Sequence, residues 1–336
     1  MTPRSAEDIV RLGQNPYADL RELLLYVEVD EPASDPFRPA IRTRHLHAGL
    51  LDDVVATGFG GIETDLIRAE RNQRRRVFDR ERARDPRRPV VLCEGDSWNQ
   101  HPLLTDIVDW IAKAGYLPDC LSEAGDLLSR MTEAGAELEE ALSRVDDSYV
   151  AFVFSGGGND ILGTEIGPDG RKTSVLRRLL APPSPGMKAV DFVRTGEVDR
   201  ALATVRARFE TLIRLVRSRA PALPIVLHGY DHAIPSGAFL DLRFLFRGRW
   251  LADPMREHGI ESHRLQREIV AALVNRFYEE VLLPLAGSSV AVADLRGTNT
   301  NVGGWADEIH PSSWGFQPVA EKIMGHIPAI APTAVV

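Results

Sequence analysis

From residue 89 onward, short apolar runs alternate with longer stretches whose apolar residues recur every three or four positions. The runs are Val90–Cys93, a weaker one over Tyr116–Leu121, Tyr149–Phe154, Pro224–His228 and Ser289–Leu295. Runs this short, without a helical period, read as buried strands. Between and after them the spacing predicts helices over Asp106–Ala114, Thr132–Val145, Glu197–Arg219, Leu265–Leu285 and Phe316–Ile327. The third of these has the clearest apolar stripe, built from Val198, Leu202, Val205, Phe209, Leu212 and Val216.

Strands that alternate with helices imply a parallel sheet with right-handed crossovers. The expected fold for residues 89–330 is therefore α/β, a flavodoxin-like three-layer sandwich with a five-stranded parallel sheet in the order 2-1-3-4-5. Two connections, Ile161–Thr195 and Asp231–Ser262, are longer than crossovers need, and loops of that length are usually functional or mobile. Residues 1–88 are patterned differently and are expected to form a mainly helical extension. Ala18–Val29 reads as a helix, or a helix running into a strand, and the Pro- and Asp-rich stretch Asp30–Pro39 as a loop. Ile62–Arg84 reads as one long helix stopped by Pro86 and Pro89. The apolar face around Leu20–Val27 needs a cover, and 88 residues make only a marginal core. The extension is thus expected to pack on the second domain or on another subunit, which would make the protein a homo-oligomer.

Composition narrows the partners. The net charge of -8 gives no general pull toward nucleic acid. The basic run Arg71-Asn72-Gln73-Arg74-Arg75-Arg76 is interleaved with Glu70, Asp79, Glu81 and Asp85, so it reads as a solvated helix face rather than a phosphate-binding patch. No run approaches the roughly 20 apolar residues that span a bilayer, and the first residues carry no apolar signal core. Cys93 and Cys120 are the only two cysteines and read as buried free thiols in a reducing cytoplasm. His45-x-His47 lacks neighbouring acidic or Cys ligands and reads as surface or packing, so no metal is expected.

The chemistry lies at the ends of the predicted strands. Val90–Cys93 runs into Glu94-Gly95-Asp96-Ser97-Trp98-Asn99. Tyr149–Phe154 runs into Ser155-Gly156-Gly157-Gly158-Asn159-Asp160. The last strand is followed by Asp307-Glu308-Ile309-His310-Pro311. In an open parallel sheet the site lies outside the carboxyl ends of the strands. Ser97, Gly125 (after the second strand), Asn159, Asp307 and His310 are therefore expected at one edge. Other patterns fit less well. Ile161 stands where a dinucleotide fingerprint needs its third glycine, and a P-loop would need Lys-Ser/Thr. An α/β-hydrolase elbow needs Gly-x-Ser-x-Gly, but Asn99 holds its last place.

Gly95-Asp96-Ser97, Gly157-Gly158-Asn159-Asp160 and Asp307-x-x-His310-Pro311, in that order, resemble the blocks of the SGNH hydrolases, or GDSL-type esterases. The resemblance covers about residues 89–328. Gly125-Asp126 fits the family's second block without its usual preceding Asn, and Trp98 replaces the Leu of the family's other name. The resemblance implies an ester substrate, an acyl-enzyme and no cofactor. It makes Ser97 the nucleophile, His310 the base and Asp307 its orienting group. The oxyanion donors would be the backbone N–H groups of Ser97 and Gly125 and the side-chain amide of Asn159.

The expected activity is hydrolysis of a small-molecule ester. An acyltransferase using the same site is the first alternative, and a non-catalytic binding or scaffold protein on this fold is the second. Trp98, Phe244 and Phe246 are candidate substrate-binding residues. The two phenylalanines belong to the apolar segment Asp231–Ser262, which is expected to shape the acyl pocket.

Overall fold

The structure, a computed structural model, describes residues 27–29, 41–43, 62–101, 104–133, 136–166, 172–235 and 250–328. Five strands form one parallel sheet: β1 (Val90–Glu94), β2 (Leu117–Cys120), β3 (Tyr149–Phe154), β4 (Ile225–His228) and β5 (Val290–Ala293). Their order is β2-β1-β3-β4-β5, as the strand–helix alternation predicts. Cys93 is in register with Cys120, and Glu94 with Phe154. Both thiols are free, and burial raises that of Cys120 to about 11.

Alternate strand residues enter two separate cores, which makes the sandwich three layers deep. Val90, Leu92, Phe152, Phe154 and Leu227 face one way, and Val91, Cys93, Ala151, Val153 and Val226 the other. Helix α1 (Ile62–Arg84) packs against edge strand β2 and sends Phe78 into the first core. The second core is covered by α2 (Ile107–Lys113) and by the closing helix Phe316–Met324. Asp106 caps α2 in a reciprocal box with Asp109, satisfying two orphan backbone donors.

The predicted helix over Thr132–Val145 is instead two short ones, α3 (Leu128–Glu133) and α4 (Ala136–Ser143). It starts early because the Asp160 carboxylate accepts from the Leu128 N–H at 3.0 Å. The segment Ile161–Thr195 is structured rather than an open loop. After α5 (Gly158–Leu162), an antiparallel ribbon pairs Thr164–Ile166 with Lys172–Ser174, and α6 (Val175–Leu179) follows. Next, α7 (Gly196–Arg219) buries the six residues that its periodicity singles out. In Asp231–Ser262 the described part holds one short helix, α8 (Ala252–Glu257). Then α9 (His263–Arg276) runs on through a π-helical turn, Phe277–Leu282, to Pro284, which lacks the N–H needed to continue.

Within residues 1–88 the described elements are α1 and an antiparallel strand pair, Val27–Val29 with Ile41–Thr43. His45 and His47, and the apolar face before Val27, lie outside the described residues. The basic run on α1 needs correcting. Arg75 and Arg76 are exposed, but Arg71 and Arg74 are turned into the protein. Arg74 meets Glu70 at 2.7 Å and Asp106 at 2.6 Å, with side-chain exposures of 12%, 1% and 0%. Of the acidic neighbours named from sequence, Glu70 is a buried partner, whereas Asp79 and Asp85 are exposed as a solvated face would have them.

Candidate active site

The sheet's carboxyl edge gathers the predicted segments. After β1 the chain turns at Asp96, whose carbonyl accepts the N–H groups of Asn99 and Gln100 at 3.0 Å each. The turn leaves Ser97 half-buried, with its Oγ 2.8 Å from Nε2 of His310. Nδ1 of the same ring lies 2.7 Å from Oδ2 of Asp307. The other oxygen of Asp307 accepts the backbone N–H of Ile309 at 2.8 Å and of His310 at 2.7 Å. Two backbone N–H groups of its own loop thus fix the carboxylate that meets the ring. Trp98 holds that loop from the other side, donating its indole N–H to the Ile309 carbonyl at 3.0 Å.

Asn159 lies in the first turn of α5, behind Gly157 at φ +92°, a backbone conformation open mainly to glycine. Its amide donates to the Asp126 carbonyl at 2.8 Å, and an amide has a second N–H to give. That bond ties the turn after β3 to the turn after β2, where Gly125 has φ +77°. Ser97 and Asn159 both stand on the wall of a cavity of about 80 Å³. The rest of its lining is almost wholly apolar. Trp98, Ile161, Leu176, Ile269, Leu273 and Phe277 are among its lining residues. Among the described residues the predicted source of this pocket, Asp231–Ser262, contributes Asp231, Ala233 and Leu251, and α5, α6 and α9 supply half of the lining. Phe244 and Phe246 lie outside the described residues.

Several residues that hold the site were not singled out from sequence. The Tyr230 hydroxyl donates to Asp96 Oδ2 at 2.5 Å and accepts from the Gly158 N–H at 2.9 Å, linking the turns after β1 and β3. Burial raises the Asp96 carboxyl above the usual range, against the hydrogen bond from Tyr230, and burial beside Asp96 raises the Tyr230 phenol. Asp231 accepts from the backbone of His232, Gly297 and Asn299, pinning the loop after β5. Glu308, buried beside Asp307, accepts from the N–H groups of Leu251 and Ala252 at 2.9 and 3.2 Å. The available signal was position. Tyr230 and Asp231 follow β4 at the edge where an open α/β sheet keeps its site.

His101 is buried with its ring 4.8 Å from that of His310. Burial, then the neighbouring charges of His310 and Arg74, hold it well below the ordinary imidazole range. Ligand atoms of His101, Asp307 and His310 lie within 4.8 Å of one another. A metal there would have to displace Asp307 or Ser97, because both ring nitrogens of His310 already meet those side chains.

No known family model matches the chain, and no curated protein does. Among solved structures it is similar to a salicylyl-acyltransferase from a tetracycline biosynthetic pathway, with 13% identity over 71% of this chain and TM-score 0.37; the match spans only 54% of that protein. It is similar to an extracellular lipase from Streptomyces rimosus, with 13% identity over 71% of this chain and 99% of that one, TM-score 0.42. A phospholipase A1 from Streptomyces albidoflavus gives 14% identity over 70% and 99%, TM-score 0.39. At TM-scores below 0.5 these likenesses carry no argument about activity, which has to come from the site itself.

Proposed function

We propose that this protein is a serine esterase of the SGNH kind, acting on esters of short, apolar acyl groups through an acyl-enzyme. One observation carries the reading: a hydroxyl, an imidazole and a carboxylate are joined end to end, Ser97 to His310 to Asp307, at 2.8 and 2.7 Å. Acyl transfer needs that chain, because a serine hydroxyl is a weak nucleophile until a base takes its proton.

In the proposed reaction, His310 is neutral with its proton on Nδ1, donated to Asp307. Ser97 Oγ attacks the ester carbonyl carbon as its proton passes to Nε2. The backbone N–H groups of Ser97 and Gly125 and the free amide N–H of Asn159 receive the oxyanion. His310 returns the proton to the leaving alkoxide as the C–O bond breaks. Water then attacks the acyl-enzyme, giving its proton to Nε2, and Ser97 departs with it. The apolar cavity beside Ser97 supports the acyl assignment, since it offers an alkyl group burial and almost nothing polar.

The test is labelling with a serine-directed phosphonate together with hydrolysis of p-nitrophenyl butanoate. Label should appear on Ser97, and Ser97→Ala should lose both label and turnover. Label on another serine, or undiminished hydrolysis by Ser97→Ala, would end the reading.

A further inference from the structure

Helix α1 precedes the α/β unit in sequence, yet three of its side chains grip the two turns that frame the site. Glu70 is fully buried and the Arg74 side chain is only 12% exposed. Ions so buried are costly unless paired and hydrogen-bonded, so their partners matter. Arg74 Nη1 donates to the Asn99 carbonyl at 2.7 Å, and Nη2 donates to Asp106 Oδ2 at 2.6 Å. That same Asp106 oxygen accepts the His101 N–H at 2.8 Å. One guanidinium therefore closes the stretch that follows Ser97 at both of its ends.

Glu70 acts on the second turn. Its Oε2 accepts from the amide of Gln100, itself fully buried. A carboxylate can only accept, so it turns the Gln100 NH₂ toward itself and the Gln100 carbonyl away. That carbonyl accepts the backbone N–H of Ala124 at 2.8 Å. Arg71 grips the same turn, donating to the Leu121 carbonyl and to Glu123, both at 2.9 Å. The next peptide after Ala124 carries the N–H of Gly125.

We infer that α1 is a positioning element for catalysis, with Glu70, through Gln100, and Arg71 setting the turn that aims the Gly125 N–H at the oxyanion. None of these side chains touches the reacting atoms. The inference rests on the esterase reading. It also explains why a helix from outside the α/β unit carries buried charge.

The test uses the full-length protein and p-nitrophenyl butanoate. Gln100→Met keeps the shape but removes both hydrogen bonds of the relay. Deleting an oxyanion donor costs about 10²–10³ in kcat. Misaiming one should cost part of that, roughly tenfold to a hundredfold, with KM within about twofold. The inhibition constant of a trifluoromethyl ketone, which presents the oxyanion, should rise by a similar factor. Arg71→Met, at a partly exposed site, keeps the inference testable if Gln100→Met fails to fold; its kcat should fall roughly threefold to tenfold with KM unchanged. Folded variants with wild-type kcat and inhibitor affinity, whatever their melting temperature, would overturn the positioning role. Ser97→Ala in the same assay separates the two failures. If it is inactive while the α1 variants keep wild-type kcat, only this inference falls. If it stays active, the esterase reading falls first.

Discussion

The size of the apolar cavity sets a chain-length preference that can be worked out in advance. An engineered cavity of about 150 Å³ holds benzene, or roughly 25 Å³ per carbon. The cavity beside Ser97, about 80 Å³, then takes roughly three carbons beyond the carbonyl. Butanoyl should fill it. Burying each methylene contributes about 0.8 kcal/mol, and 1.36 kcal/mol is tenfold in rate, so kcat/KM should rise about fourfold per carbon from acetyl to butanoyl. Beyond that, added carbons meet the cavity wall, to which Leu273 and Phe277 belong, and kcat/KM should fall. Leu273→Ala removes three carbons from the wall, adding roughly 75 Å³ on the same scale. Its optimum should move to about six or seven carbons, at a stability cost of about 2–5 kcal/mol because Leu273 is buried. The assay is a series of p-nitrophenyl esters from acetate to dodecanoate on both proteins, with melting temperatures taken alongside. A wild-type kcat/KM that keeps climbing through octanoate, or a folded Leu273→Ala with an unmoved optimum, would refute the assignment.

Other substitutions test the site residue by residue. Asp307→Asn keeps the shape but favours the wrong imidazole tautomer, so kcat should drop on the order of 10⁴, whereas Asn159→Ala should lose roughly 10²–10³ with KM little changed. Stopped assays of kcat and KM on folded variants check that order. Tyr230→Phe strips Asp96 and the Gly158 N–H of a shared partner. It should cost about 1–3 kcal/mol in a urea melt and lower kcat with it, because Asn159 is the next residue. Glu94 gives a pH signature. Burial raises its carboxyl from 4.5 to about 8, so between those values the folded chain holds a proton that the unfolded chain has lost. Stability from this group is therefore greatest below pH 4.5 and declines as pH rises toward 8. Glu94→Gln should melt higher than wild type at pH 8 and alike near pH 4.5. A constant difference across that range would contradict it.

Local pattern was enough for the sheet. The continuous apolar runs of β1 and β3, the apolar stripe of α7 and the glycines after the strands each express a rule acting within a few residues, and together they imply a parallel sheet with helical crossovers. The motif residues were legible for a related reason: Ser97 and Asn159 lie just past β1 and β3, Asp307 and His310 lie in the connection after β5, and connections at one sheet edge meet. What joins them is not local. Trp98 holds the Ile309 carbonyl from 211 positions away, and Tyr230 reaches Asp96 across 134. A side chain's type does not say which distant backbone group it will satisfy. The acyl wall was sought in Asp231–Ser262 for its composition; among the described residues α9 also supplies Ile269, Val270, Leu273 and Val274, because a helix that faces a core and one that faces a cavity have the same apolar stripe. Likewise the interleaved charges of α1 read as a solvated face, because the pattern does not say which of them will find buried partners. Only the position of β2 beside that helix turned Glu70, Arg71 and Arg74 inward, onto the turns around Ser97 and Gly125.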